Sequence, residues 1–156
     1  WQNNELTQDM QNILLSAALL HEIGIAINHS GVQKHSAYII QNSELPGFDR
    51  EQQRLLATIV RFQIKSFKGT DLVKDGRYDA QDSLALIILL RLALIINRSR
   101  RATELTEKFT LDISSDLNCW ELEFENGYLE RNPLTQSDLA EEKTFLSSLG
   151  IQLEFK

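Results

Sequence analysis

Residues 14–36 read LLSAALLHEIGIAINHSGVQKHS and hold all three histidines of the chain, His21, His29 and His35. An apolar run ends here in the pair His21-Glu22, and Ser30-Gly31 separates it from a second helical segment. Upstream, Leu6, Met10, Ile13, Leu14, Ala17, Leu20 and Ile23 recur at helical spacing, which predicts an amphipathic helix over 5–27. Gly24 lies near its end, where a glycine costs a helix least. Downstream, Ala37, Tyr38, Ile39 and Ile40 supply the core face of a short helix over 32–42. The Pro-Gly pair in 44–48, ELPGF, marks a turn. Asp49 is then an N-cap with Gln52 as its capping-box partner, opening a helix over 50–62 that buries Leu55, Leu56, Ile59 and Val60. A basic, glycine-containing loop follows at 63–78. Asp79 or Gln81 starts a long apolar helix through Ile96, apolar enough on every side to be buried.

The pattern changes after residue 102. Phe109, Leu111 and Ile113 alternate with polar residues, as do Trp120, Leu122 and Phe124 beyond the loop at 114–118. Period-two alternation across a short loop reads as a hairpin. A turn at Asn126-Gly127, a helix over 135–149 and a third strand through Ile151, Leu153 and Phe155 complete the chain. The expected fold is therefore mainly α: a helical bundle over 1–102, then a small ββαβ unit over 103–156.

Composition bounds the class. With 156 residues, 42% of them hydrophobic and 24% charged, the chain is one globular domain or one with a small appendage. The longest apolar stretch, 84–96, contains Arg91 and is too short to span a bilayer. The start carries no secretory signal pattern. A single cysteine, Cys119, excludes an internal disulfide and fits a reducing cytoplasm, and no paired base makes it a nucleophile. The start at Trp1 suggests a piece of a longer protein.

Net charge is −6, unevenly spread: residues 61–103 carry nine basic and four acidic groups, residues 104–156 four basic and twelve acidic. A basic middle between acidic flanks points to a local anion site and argues against a general nucleic-acid coat, although solvated helix faces give the same counts.

His21-Glu22 at a helix end, with two histidines following, invites a metal site, since catalytic metals need converging imidazoles and carboxylates. The order resembles the HD phosphohydrolase superfamily, named for an adjacent His-Asp metal pair. More sharply, His29-Ser30-Gly31, His35-Ser36-x-Tyr38-Ile39-Ile40-x-Asn42 and Leu45-Pro46-Gly47-Phe48, followed by LLATIVRF and LLRLALIIN, resemble the C-terminal half of the exopolyphosphatase / guanosine pentaphosphate phosphohydrolase family. The match is strong over 13–102. Residues 103–156 correspond by position to the family's small terminal domain.

The resemblance implies a degenerate HD-like helical domain. Glu22 stands where a working metal pair has Asp, Gln63 where relatives often carry His, and Leu94 where the later metal Asp would be. Of these positions only His21 is unchanged, so no metal is expected here, and no catalytic residue in this chain. In the family, hydrolysis belongs to N-terminal actin-like lobes with Mg²⁺, and this chain has no GxGxxG or P-loop. The implied parent is a cytoplasmic hydrolase, a homodimer with no specific nucleic-acid partner. It releases terminal phosphate from inorganic polyphosphate or, as the alternative, from guanosine pentaphosphate. This chain would be its substrate-binding and dimerisation region.

Polyphosphate calls for a cationic groove. Candidates are Arg61, Lys65 and Lys68, then Arg98, Arg100 and Arg101, with His35. His21, His29 and His35 also have a plain packing reading. Arg91, alone in an apolar helix, needs partners, and Glu22 is the expected one. The rival readings are an active HD-type metal hydrolase, which requires metal uptake and loss of activity in His21→Ala, and a pure dimerisation module.

Overall fold

The computed structural model describes residues 6–72, 76–98, 109–125 and 127–156. Helices occupy Gln8–Leu20 (α1), Val32–Asn42 (α2), Arg50–Arg61 (α3), Ala80–Ile96 (α4), Tyr128–Arg131 (α5) and Pro133–Ser148 (α6), with strands at Phe109–Ile113 (β1), Cys119–Phe124 (β2) and Gln152–Phe155 (β3). The architecture is the expected one, helices followed by a small terminal sheet unit. By internal contacts the chain divides into two compact units, 1–91 and 92–156.

In the first unit α3 packs against both α1 and α2. Met10, Ile13 and Ala17 of α1, Ile40 of α2 and Leu55, Leu56, Ile59 and Val60 of α3 are buried. In α4, Ala85, Leu86, Ile87 and Ile88 are consecutive and all buried, as expected of a helix without a polar stripe. Leu45-Pro46-Gly47-Phe48 closes with a Phe48 N–H to Leu45 O bond of 3.1 Å. Gly47 has φ 95°, which suits Pro at the second turn position followed by glycine at the third.

The capping box is formed as the sequence predicts. Asp49 Oδ1 accepts from the amides of Glu51 and Gln52, both at 2.9 Å, and the Asp49 amide donates to Gln52 Oε1 at 2.8 Å. Arg77 adds an ion pair to Asp49 at 2.7 Å. The Gln52 amide, opposed by desolvation and aided by Arg77, holds the Asp49 carboxyl below its ordinary value of 3.8. A carboxyl more acidic when folded stabilises fully above its unfolded value, and that stabilisation is lost as pH falls through the folded value. Asp49→Asn keeps an N-cap but discards this titration. The variant should lose part of the acid-side fall in melting temperature below pH 3.8, while wild type keeps it. Thermal melts across acid pH test this.

One local reading is corrected. The first helix does not run to residue 27: α1 ends at Leu20 with His21 as C-cap, and Ile23–Ala26 form a 3-10 turn. Gly24 is there for space, not for tolerance at a helix end. A Cβ on it would lie 2.4 Å from Ser36 N and 2.5 Å from Val32 O, so the turn lies directly on α2. Beyond the buried stripe, the outward face of α1 leaves Leu15 and Leu19 at 63% and 76% exposure.

In the second unit β1 pairs antiparallel with β2, in the register Leu111 to Leu122 and Asp112 to Glu121. β3 joins the other side of β2 in parallel, which requires the α5–α6 crossover. Trp120, Leu122 and Leu153 on the sheet and Leu139 and Leu146 on α6 are fully buried, and α6 packs on β3. α6 starts at Pro133, two residues before the expected position, because proline at the first helical position loses no hydrogen bond.

Candidate functional site

The His21 junction is a knot of main-chain hydrogen bonds. His21 Nδ1 donates to Ala18 O at 2.7 Å, leaving Nε2 4.0 Å from Glu22 Oε1. The His21 carbonyl accepts twice, from Ser36 Oγ at 2.9 Å and from Gln63 Nε2 at 2.8 Å. Ser36 Oγ also accepts from the Gly24 amide at 2.9 Å. Ser36 and Gln63 are both buried. The fold therefore brings His21, Glu22 and Gln63 together, but Gln63 meets His21 through its backbone, and the amide there braces the end of α1. Leu94 lies on α4, three residues past Arg91 and half-buried; its side chain offers no donor atom to a metal. His29 is exposed in the loop before α2, and His35 is half-buried in that helix. Among the described residues, no three His, Cys, Asp or Glu side chains form a group able to hold a metal ion.

The second feature is the loop 61–68, RFQIKSFK, which leaves α3. Phe62 and Phe67 stack at 4.6 Å and close it, and the Arg61 guanidinium lies 5.9 Å from the Phe62 ring centroid. Arg91, 7% exposed, donates through Nη1 to Phe62 O and Lys65 O, both at 2.8 Å. A buried cation thus satisfies carbonyls at and just beyond the end of α3, where the helix leaves acceptors open. Lys65 has φ 65°, a left-handed conformation rare for a residue with a side chain. Lys65 and Lys68 are exposed and Arg61 is half-buried.

The remaining cations differ. Arg98 is paired with Asp138 of α6, whose hydrogen bond raises the guanidinium's pKa further. Arg100 and Arg101 lie outside the described residues. Two features went unread in the sequence. Arg77 gathers Asp9, Asp49 and Glu51, and Tyr78 donates to Asp9; burial first, and then that bond, push the tyrosine's pKa up to about 12. No periodicity signals such a cluster, because its members come from three separate segments. The outer face of the sheet carries a groove of about 430 Å³ lined by Asp112, Cys119, Glu121, Gln152 and Glu154. Strand alternation was the available signal there: the register places Asp112 opposite Glu121 and Glu121 opposite Glu154. On that face Lys143 pairs with Glu154 and Lys156 with Glu121.

A family model described as Ppx/GppA phosphatase, domain III, matches residues 1–143. Over 127 residues the chain is 37% identical to a protein of Aeromonas hydrophila named guanosine-5'-triphosphate,3'-diphosphate pyrophosphatase, covering 81% of this chain and 25% of the relative. A protein of the same name from Pseudoalteromonas translucida is 34% identical over 146 residues, 90% of this chain and 28% of its own. The chain spans about a quarter of the length of these curated relatives. Matched by the family model over nearly its whole length, the chain belongs to the Ppx/GppA phosphatase family, in which it corresponds to domain III.

Proposed function

We propose that this chain is the substrate-holding and dimerisation region of a hydrolase of phosphoric anhydrides, and that the anion it holds is inorganic polyphosphate. The loop 61–68 carries this reading. Arg77, Arg98, Lys143 and Lys156 are each engaged by carboxylates. Among the described residues no ion pair engages Arg61, Lys65 or Lys68, and the loop contains no acidic residue. Three cations outside any ion pair among the described residues suit a flexible chain with one charge per phosphate. Hydrolysis, on this reading, belongs to actin-like lobes elsewhere in the full-length polypeptide, which use Mg²⁺. Dimerisation would use the uncovered α1 face, where Leu15 and Leu19 stand four residues apart and both exposed. A second reading, with guanosine 5'-triphosphate 3'-diphosphate as the parent's substrate, is favoured by the names of the two relatives.

Titration of the chain with long-chain polyphosphate and with that nucleotide, at about 50 mM and about 200 mM salt, separates them. Three phosphate contacts predict a log–log salt slope of about −2, or roughly twentyfold weaker polyphosphate binding across that range. Nucleotide binding tighter than polyphosphate binding would favour the second reading. No binding of either would remove the substrate-holding role and leave assembly, which sedimentation of the same samples reads directly.

A further inference from the structure

We infer that Lys65 is the principal phosphate contact of the loop 61–68, and that Arg91 is the positioning residue that holds it there. The inference rests on the substrate-holding reading above. Among the described residues only Lys65 and Leu117 combine a side chain with positive φ. A lysine in the left-handed region carries a conformational cost that glycine avoids, and persists only where surrounding structure over-determines it. Here the determinant is visible: Arg91 grips Lys65's own carbonyl and that of Phe62, each at 2.8 Å, and the Phe62–Phe67 stack pins the two sides of the loop. Arg91 is buried, and its Nη1 serves the two loop carbonyls from within the first unit. The Lys65 ammonium is exposed, and no ion pair among the described residues engages it. The backbone at 65 would be better served by glycine; what lysine adds is the cation. A fixed loop presents that charge with less ordering to be done when the anion binds.

The test uses the whole chain, long-chain inorganic polyphosphate and three variants. Lys65→Gly should melt at or above the wild-type temperature, because glycine relieves the backbone. It should nevertheless bind several-fold more weakly, with a salt slope shallower by about 1. Lys65→Arg should restore both affinity and slope. Arg91→Lys keeps a charge but loses the planar group that reaches two carbonyls; it should weaken binding and leave the slope unchanged, since the Lys65 cation remains. Wild-type affinity and slope in Lys65→Gly overturn the assignment of Lys65. Wild-type affinity in Arg91→Lys overturns the positioning role. A wild-type chain without salt-sensitive binding overturns the substrate-holding reading and this inference with it, an outcome distinct from the variant results.

Discussion

Gly24→Ala should destabilise the first unit by about 3 kcal/mol or more, at the upper end of what overpacking costs. The added Cβ would meet Ser36 N at 2.4 Å, Val32 O at 2.5 Å and His35 Cβ at 2.7 Å. Two of these atoms are backbone, so no rotamer change relieves the contact; the 3-10 turn and α2 must separate. Separation stretches the Gly24 N–H to Ser36 Oγ bond, and with it the Ser36 bond to the His21 carbonyl. The buried hydroxyl then loses its donor and its acceptor together, which adds the cost of an unsatisfied polar group. Urea unfolding followed by far-UV circular dichroism reads the loss. A variant within about 0.5 kcal/mol of wild type, the range of an ordinary surface substitution, would refute the close approach.

Trp120→Ala should cost the second unit about 3–5 kcal/mol. Trp120 is 1% exposed, on the face of β2 that also carries Leu122. Truncation leaves a cavity the size of an indole in the core that Trp120 shares with Leu122, Leu139, Leu146 and Leu153. Its Nε1–H donates to Leu117 O at 2.8 Å, and Leu117 has φ 58°, so the ring also holds the turn between β1 and β2 in place. Trp120→Phe keeps much of the apolar contact and should recover part of the loss, though not the bond to Leu117. Hydrogen exchange at the β2 and β3 amides is the suitable probe, because the chain forms two units and a single global transition need not report on both. Unchanged protection in Trp120→Ala would show that the sheet is not organised around that ring.

Sequence and tertiary structure contribute differently at β2 and at Gly24. The residues of β2 are legible from alternation alone, and the observed burial follows it: Trp120, Leu122 and Phe124 are in, Cys119, Glu121 and Glu123 out. Gly24 is the reverse case. Its local pattern admits a helix end, and the reason for a glycine lies on α2, brought near by the turn itself. The cation loop is mixed. Arg61, Lys65 and Lys68 stand out as a basic run, and their site role stays a proposal. The ion pairing that separates them from Arg98 depends on Asp138, forty residues away.

By itself the sequence determined what short-range physics decides. It determined helix α2, the Asp49–Gln52 capping box, the LPGF turn, the buried character of α4, the alternating strands and the family motifs around His29 and His35. Each of these is specified by residues within about one or two turns of one another. Only the tertiary structure decided where α1 stops, why residue 24 is glycine, that β3 runs parallel to β2, and that Gln63 braces the His21 carbonyl. It also decided two of the acceptors of Arg91. An arginine in an apolar helix announces that it needs partners, and Phe62 O and Lys65 O, 29 and 26 residues earlier, are main-chain atoms that any sequence carries. Backbone carbonyls have no residue identity to read, so a site held by them becomes visible only when the chain has folded.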